Sequence, residues 1–426
     1  MKFISKNKSL TKSWYLCPTN YTMIQSGLQR YINNFRGFRR EVWILALITF
    51  INRAGTMVLP FLSKYLKEDL HLSYSQVGWI MVCFGFGSML GSWLGGKLSD
   101  KIGFYKIMIF SLFTSGVLFF FLQYVTSFWA LCVSMFSIMV IADMFRPAMF
   151  VSLSTYAKPE NRTRALTLVR LAVNLGFAAG PALGGLIILS QGYQALFWVD
   201  GSTCIIAIVL FAVLVKEKKV PEDLIAKKQA ESERESVFKD KIFWIFLFVC
   251  FITAVLFFQL FTTLPLYHSE HFGLTEFQSG LILSFNGILI FFLEMPIVSY
   301  CQRKDISKPS IVLWGCVLMA ISFYILLFNA WAGILIVSLL FITFGEMFIF
   351  PFSNSFAMSR APKGYEGRYM ALFTMSFSLA HIASSKMGLE IISQWNYQAN
   401  WFVMGSLGVI AVLCCIWLQR LLALED

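Results

Sequence analysis

From Ile242 to Leu266 the chain carries no charged residue, and stretches of this kind recur along its whole length. A run of about 20 apolar residues is what an α-helix needs to cross the hydrocarbon core of a bilayer. Inside lipid no water bonds a stray backbone N–H or C=O, so such runs must be helices that satisfy their own backbone. Twelve candidate spans follow, at 42–63, 75–97, 106–126, 128–152, 165–190, 194–215, 242–266, 277–300, 309–328, 331–356, 369–391 and 399–419. Only 14% of the 426 residues are charged and 58% are hydrophobic, too little polar surface to cover a soluble body of this size. The expected fold class is an all-α membrane protein.

A net charge of +12 would suit a nucleic-acid binder, but the placement of the charges excludes that class. Of the 35 Lys and Arg residues, 29 fall in the N-terminal segment, the central loop and the loops that alternate onto the same side. Only Lys64 and Lys67 fall in the opposite loops, while Arg53, Arg146, Arg170 and Lys386 lie inside spans. An excess of basic residues on one side marks that side as cytoplasmic. Both termini are therefore expected in the cytoplasm, with the chain crossing the inner (plasma) membrane an even number of times. The first 40 residues lack the apolar stretch and small-residue site of a cleavable signal. Tyr21–Arg40 reads either as a short helix on the inner membrane surface or as a loop.

The nine cysteines make no metal-ligand spacing and read as small packing residues within helices. A Walker A loop, a nucleophile elbow, HExxH and CxxC are all missing from the sequence, so no enzymatic activity, cofactor or metal is expected.

The composition shifts once, at 216–241, where 8 basic and 7 acidic residues form a linker with six spans on either side. The halves echo one another. Leu72, Gln76 and Gly78 recur as Leu274, Gln278 and Gly280, and Leu59-Pro60 recurs as Leu264-Pro265. Asp143, Met144, Phe145 and Pro147 recur as Glu346, Met347, Phe348 and Pro351. Echoes in one order at offsets of 202 to 205 imply a parallel duplication about an axis along the membrane normal. The expected organisation is an N-terminal segment 1–41, a six-helix bundle 42–215, a linker 216–241, a second bundle 242–419 and a tail 420–426.

Between spans two and three, Gly96, Leu98, Ser99, Asp100, Lys101, Gly103 and Lys106 resemble the signature G-x-L-[AS]-D-[RK]-x-G of the major facilitator superfamily. Phe104 and Tyr105 stand where that family often has basic residues, and the matching stretch of the second half, 300–304, lacks the Asp and the glycines. The resemblance implies two six-helix bundles, with Asp100 helping to tie them at the cytoplasmic side when the carrier faces outward. Gly176, Gly180, Pro181, Gly184 and Gly185 in span five resemble the G-x3-G-P-x2-G-G element of antiporting members, although Thr167 replaces its upstream glycine. Small residues four apart also let helices touch closely whatever the direction of transport. An Arg that the family often carries twelve residues before Pro147 is Met135 here.

A charge near the bilayer centre costs about 2.5–3.5 kcal/mol on insertion scales, so those within spans are the candidate functional residues. Arg53 lies about eleven residues into the first span, near the midplane at about 1.5 Å per residue. It is a candidate for substrate or proton coupling. Asp143 and Arg146, three apart on one helix face, either pair with each other or serve a gate with Asp100 or Arg53. Glu346 is the first candidate proton carrier and Glu294 the second, each with a fixed ion pair between bundles as the alternative. His381 is a packing residue or a titrating one. Arg170 and the Lys386–Glu390 pair read as structural.

The expected function is secondary transport by alternating access, driven by protons. The span-five resemblance points to antiport, hence efflux of an amphipathic drug or metabolite. The alternative is proton-coupled uptake of a nutrient, amino acid, peptide or siderophore. A receptor or channel is the rival class. Expected partners are a small-molecule substrate and the bilayer, with no nucleic acid, and the chain is expected to act as a monomer.

Overall fold

The computed structural model describes residues 37–158, 162–218, 239–328, 331–361 and 366–425. Most of the Tyr21–Arg40 segment, read as a surface helix or a loop, and most of the linker lie outside the described residues. The first half comprises α1 (Arg40–Gly55), α2 (Val58–Lys64), α3 (Tyr74–Ile102), α4 (Phe104–Leu122), α5 (Phe128–Ala142), α6 (Phe145–Tyr156), α7 (Arg162–Gln191) and α8 (Gln194–Leu214). The second comprises α9 (Lys241–Thr262), α10 (Leu264–Phe272), α11 (Glu276–Arg303), α12 (Lys308–Ile325), α13 (Gly333–Arg360), α14 (Glu366–Gln394) and α15 (Tyr397–Glu425).

These helices make six rods per half, and three of the rods are not the unbroken spans that the apolar runs predict; in the seventh, Thr263 separates α9 from α10 just before Pro265, inside the expected span 242–266. The first is interrupted at Thr56–Met57, between α1 and α2, and continues through a π-helical turn at Tyr65–Asp69. The fourth is interrupted at Asp143–Met144, between α5 and α6. Among the described residues eleven rods are long and apolar enough to cross a membrane. The expected span 369–391 is the exception. It forms the 29-residue α14, but Ser384, Ser385 and His381 turn inward and are buried. A rod packed against α3 and α9 can carry such polar residues because they never meet lipid.

The echoed segments have a local cause. Ser73 and Gln76 form a reciprocal capping box at the start of α3, and Thr275 and Gln278 form the same box at the start of α11. Each box satisfies helix N–H groups that have no partner within the helix. Gly103 alone joins α3 to α4, with φ 98°, a value that L side chains rarely adopt.

Each half has its own core, with Leu45, Met108, Phe145 and Phe211 in the first and Val249, Met319, Phe323 and Trp401 in the second. A third cluster around Phe61, Val77 and Phe197 takes in Leu266 and Leu389, and so joins the halves at the end away from the linker. Large apolar side chains such as Trp93, Phe121, Phe292 and Trp417 face outward, as rods bathed in lipid require.

The halves meet along two seams, α7 against α11 and α3 against α14. On the first, a Cβ added at Gly185 would lie 2.4 Å from the Glu276 carbonyl oxygen, and one at Gly280 would lie 2.2 Å from that of Pro181. Most of the polar bonds between the halves lie at the end opposite the linker, while Glu294 with Arg170 and Asn174, and Ser284 with the Ala182 N–H, join them further along α7 and α11. Lys64 Nζ lies 2.8 Å from Glu276 Oε1 and 3.7 Å from Glu68 Oε2. Ser63 Oγ donates to the Thr262 carbonyl at 2.8 Å, Ser269 Oγ to Glu68 at 2.6 Å, and Tyr74 to Glu270, which also accepts from Tyr397 of its own half. Lys64 is therefore not the loop cation of the sequence reading. It closes α2 and its side chain is 1% exposed. At the linker end of the second half, Arg360 joins Asp240, the N-cap of α9, to Glu425 at the end of α15.

Candidate functional site

A cavity of about 440 Å³ lies between the halves, walled by residues of both. The break in the first rod shapes one side of it. Arg53 sits in the last turn of α1, where the helix carbonyls favour a cation. Its guanidinium lies over the Phe177 ring, 5.6 Å from the centroid, and among the described residues no carboxylate pairs with it. Beyond it the backbone N–H groups of Met57 and Val58 donate to Asp200 Oδ1 and Oδ2 of α8 at 2.9 and 3.2 Å. The span-five glycines bring α7 against this segment. A Cβ at Gly176 would lie 2.5 Å from Arg53 Cβ, one at Gly180 3.2 Å from the Ala54 carbonyl oxygen, and one at Gly184 3.1 Å from Met57 Cβ. Pro181 and Gly185, on the other side of α7, face α11. The motif is thus a three-helix junction that seats Arg53.

On the opposite wall Asn286 of α11 donates to Thr343 Oγ1 at 2.9 Å and to Glu346 Oε2 at 3.2 Å, both on α13. Asp143, at the break in the fourth rod, accepts from Ser88 of α3. His381 packs between Phe84 and Phe258, with centroids 5.1 and 4.6 Å away. Phe257 stands edge-on to Phe350 at 4.9 Å, and Phe350 contacts Phe377 at 5.5 Å. The cavity therefore combines an aromatic wall with a few fixed polar groups, the usual make-up of a small-molecule site.

Of the predicted site residues, Arg53, Asp143, Arg146, Glu346 and His381 all line this cavity. Glu294 does not. Its carboxylate forms an ion pair with Arg170 and accepts from Asn174 at 3.3 Å, which makes it a bond between α11 and α7. Asp143 and Arg146 form no ion pair with each other, because the break between α5 and α6 falls between them and Asp143 turns to Ser88. Lys386 and Glu390 pair at 2.5 Å, near Ser75 of the first half. Around the junction of α3 and α4, Lys101 at the end of α3 and Lys106 at the start of α4 are exposed, and nothing lies within 4 Å of a Cβ added at Gly96 or Gly103. The side chain of Asp100 lies outside the described residues. Sequence reasoning overlooked Asp200, an acidic residue within an apolar run that the same rule would have selected, and Asn286, an uncharged residue that gave no such signal.

Two six-rod halves, each with its own core, enclosing a shared cavity that is bonded shut at one end define a membrane carrier. The chain belongs to the Major Facilitator Superfamily, whose family profile matches residues 45–385. It is a multi-pass secondary transporter and not an enzyme. It is 20% identical over 409 residues to a "Na(+), Li(+), K(+)/H(+) antiporter" of Planococcus maritimus, covering 87% of this chain and 94% of that protein. It is 24% identical over 348 residues to the quinolone resistance protein NorA of Staphylococcus aureus, covering 79% and 86%. Among solved structures, a POT family transporter in complex with 5-aminolevulinic acid superposes with a TM-score of 0.75 at 15% identity, covering 89% and 96%. A point mutant of the nucleoside transporter NupG does so at 0.71 and 13% identity, covering 89% and 98%. These two share the fold.

Proposed function

We propose that the protein exports a small amphipathic compound across the plasma membrane in exchange for protons. The observation that carries this reading is the cavity itself, where the carboxyl groups of Glu346 and Asp143 stand among the rings of Phe257, Phe258, Phe350 and Phe377. Most bonds between the halves lie at the end opposite the linker, and the excess of basic residues supports a cytoplasmic linker. The described state is then closed to the outside. A flat apolar substrate enters from the cytoplasm or inner leaflet and stacks on the aromatic wall. Rocking of the halves turns the cavity outward, where the substrate leaves.

A carboxyl group that meets one compartment at a time exchanges its proton with only that compartment, which is what coupling requires. Glu346 takes this role, positioned by Asn286. Antiporting and drug-resistance relatives support the direction. One observation favours uptake instead: Arg53 faces the cavity without a carboxylate partner among the described residues, and would suit a carboxylate-bearing substrate.

Everted membrane vesicles energised to pump protons inward decide between the two. Uptake of a fluorescent quinolone or ethidium that collapses with the pH gradient, and is lost in Glu346→Gln, supports export. Depletion of a preloaded carboxylate-bearing solute under the same gradient would replace export with symport.

A further inference from the structure

We propose that Asp200 is a second proton-binding group, and that a proton arriving there releases the break in the first rod on which Arg53 is mounted. This deepens the proton-coupled reading above but does not need its direction.

The geometry gives the reason. Both oxygens of the Asp200 carboxylate are in use, Oδ1 on the Met57 N–H and Oδ2 on the Val58 N–H. The helix break leaves both donors without a carbonyl one turn back; the Met57 N–H also reaches the Gly55 carbonyl at 2.8 Å, whereas among the described residues the Val58 N–H is bonded to Asp200. An ionised carboxylate offers two acceptor oxygens, whereas a carboxylic acid offers one acceptor and one O–H donor. When a proton binds Oδ2, an O–H bond forms there and the Val58 N–H is left facing a hydroxyl oxygen, a much weaker acceptor, while the Met57 N–H keeps the Gly55 carbonyl. The doubly bonded break is thus held most firmly by the charged form, and protonation loosens it at Val58. Asp200 also lines the cavity, so a proton can reach it by the route the substrate takes.

The break has little freedom to absorb such a change unnoticed. A Cβ at Gly55 would lie 1.9 Å from Thr203 Oγ1, which is fixed by bonds to the Val199 and Asp200 carbonyls. On its other side lies the glycine face of α7, whose opposite face rests on α11 of the second half. Few other charges face Asp200. Arg53 lies on α1 four residues before Met57 and Cys204 one turn along α8, α4 contributes Ser115 and α7 Asn174, and Asp143, Arg146, Glu346 and His381 stand elsewhere around the cavity.

The test is hydrogen exchange read by mass spectrometry on the full chain in lipid nanodiscs, with no substrate and no gradient. Peptides spanning 53–60 are compared at about pH 5 and about pH 8, with exposure times scaled for the intrinsic chemistry of exchange. The wild type should exchange about tenfold faster at the lower pH after scaling, Asp200→Asn should lose that dependence, and Glu346→Gln should keep it. A flat wild-type profile overturns the proposal, as does an unchanged profile in Asp200→Asn. Asp200→Glu, which keeps the carboxylate, should retain the dependence. If Asp200→Asn does not fold, the wild-type and Asp200→Glu profiles still decide. Because no transport is measured, failure of the vesicle experiment and failure of this one are separate results.

Discussion

Glu276→Gln should open the carrier to the side that the described state closes. Lys64 of α2 and Glu276 of α11 meet at 2.8 Å across the two halves, with side-chain exposures of 1% and 20%. Removing one partner of a buried ion pair costs about 3–5 kcal/mol, because the other charge is left without compensation. Here solvent reaches Glu276, and Glu68 stays 3.7 Å from the lysine, so part of that cost is screened. About 2 kcal/mol should remain, which shifts the ratio of the closed-outside to the open-outside state about thirtyfold. The assay is labelling of Leu59→Cys, a cavity-lining position, by an impermeant maleimide added to intact cells in a background without native cysteines. Labelling should accelerate by roughly that factor in Glu276→Gln. Lys64→Met combined with Glu276→Gln should return more than half of the effect, since no unpaired lysine is then buried. Labelling of Glu276→Gln at the original rate, or strictly additive single and double substitutions, would refute the reasoning.

Three further outcomes are expected. Gly176→Leu should push α1 away from α7, since even a Cβ there lies 2.5 Å from Arg53 Cβ, and lower stability by about 1–3 kcal/mol in a detergent thermal-shift assay. Glu346→Gln should abolish movement driven by a pH gradient, while Glu294→Gln, which alters the bond to Arg170 outside the cavity wall, should slow transport but leave it gradient-driven in the same vesicles. Burial alone would raise the Asp240 carboxyl, but Arg360, the Phe243 N–H and Tyr369 together hold it below the usual carboxylate range. A depressed carboxylate contributes stability at higher pH and loses it on acidification, so the melting temperatures of wild type and Arg360→Ala should converge below about pH 4.

The architecture was legible because lipid permits few solutions. Apolar runs of membrane length must be helices, and the basic loops order them. The echo between Ser73–Gln76 and Thr275–Gln278 was legible for a stronger reason, since each half needs the same capping chemistry at the same turn. The breaks at Thr56 and Asp143 were not. An apolar run does not record where its helix stops, and the group that satisfies the first break is a side chain 143 residues away, Asp200. Charges within spans pointed to the cavity because a buried charge needs a reason, and Arg53, Asp143, Arg146, Glu346 and His381 share one wall-to-wall space. Glu294 obeyed the same rule for a different reason, its ion pair with Arg170. Nor could one helix at a time reveal Lys64 as a buried contact, since its partner belongs to the other half.

The seam between α7 and α11 is made of main chain against main chain, with Gly185, Gly280 and Gly287 bringing the two helices together and no large side chains interlocked at those points. Surfaces of that sort behave as a bearing, able to roll a little without lifting over a ratchet of bulky teeth. A lone methyl group at Gly280 would act there as a wedge, arresting the carrier in whichever posture best accommodates it.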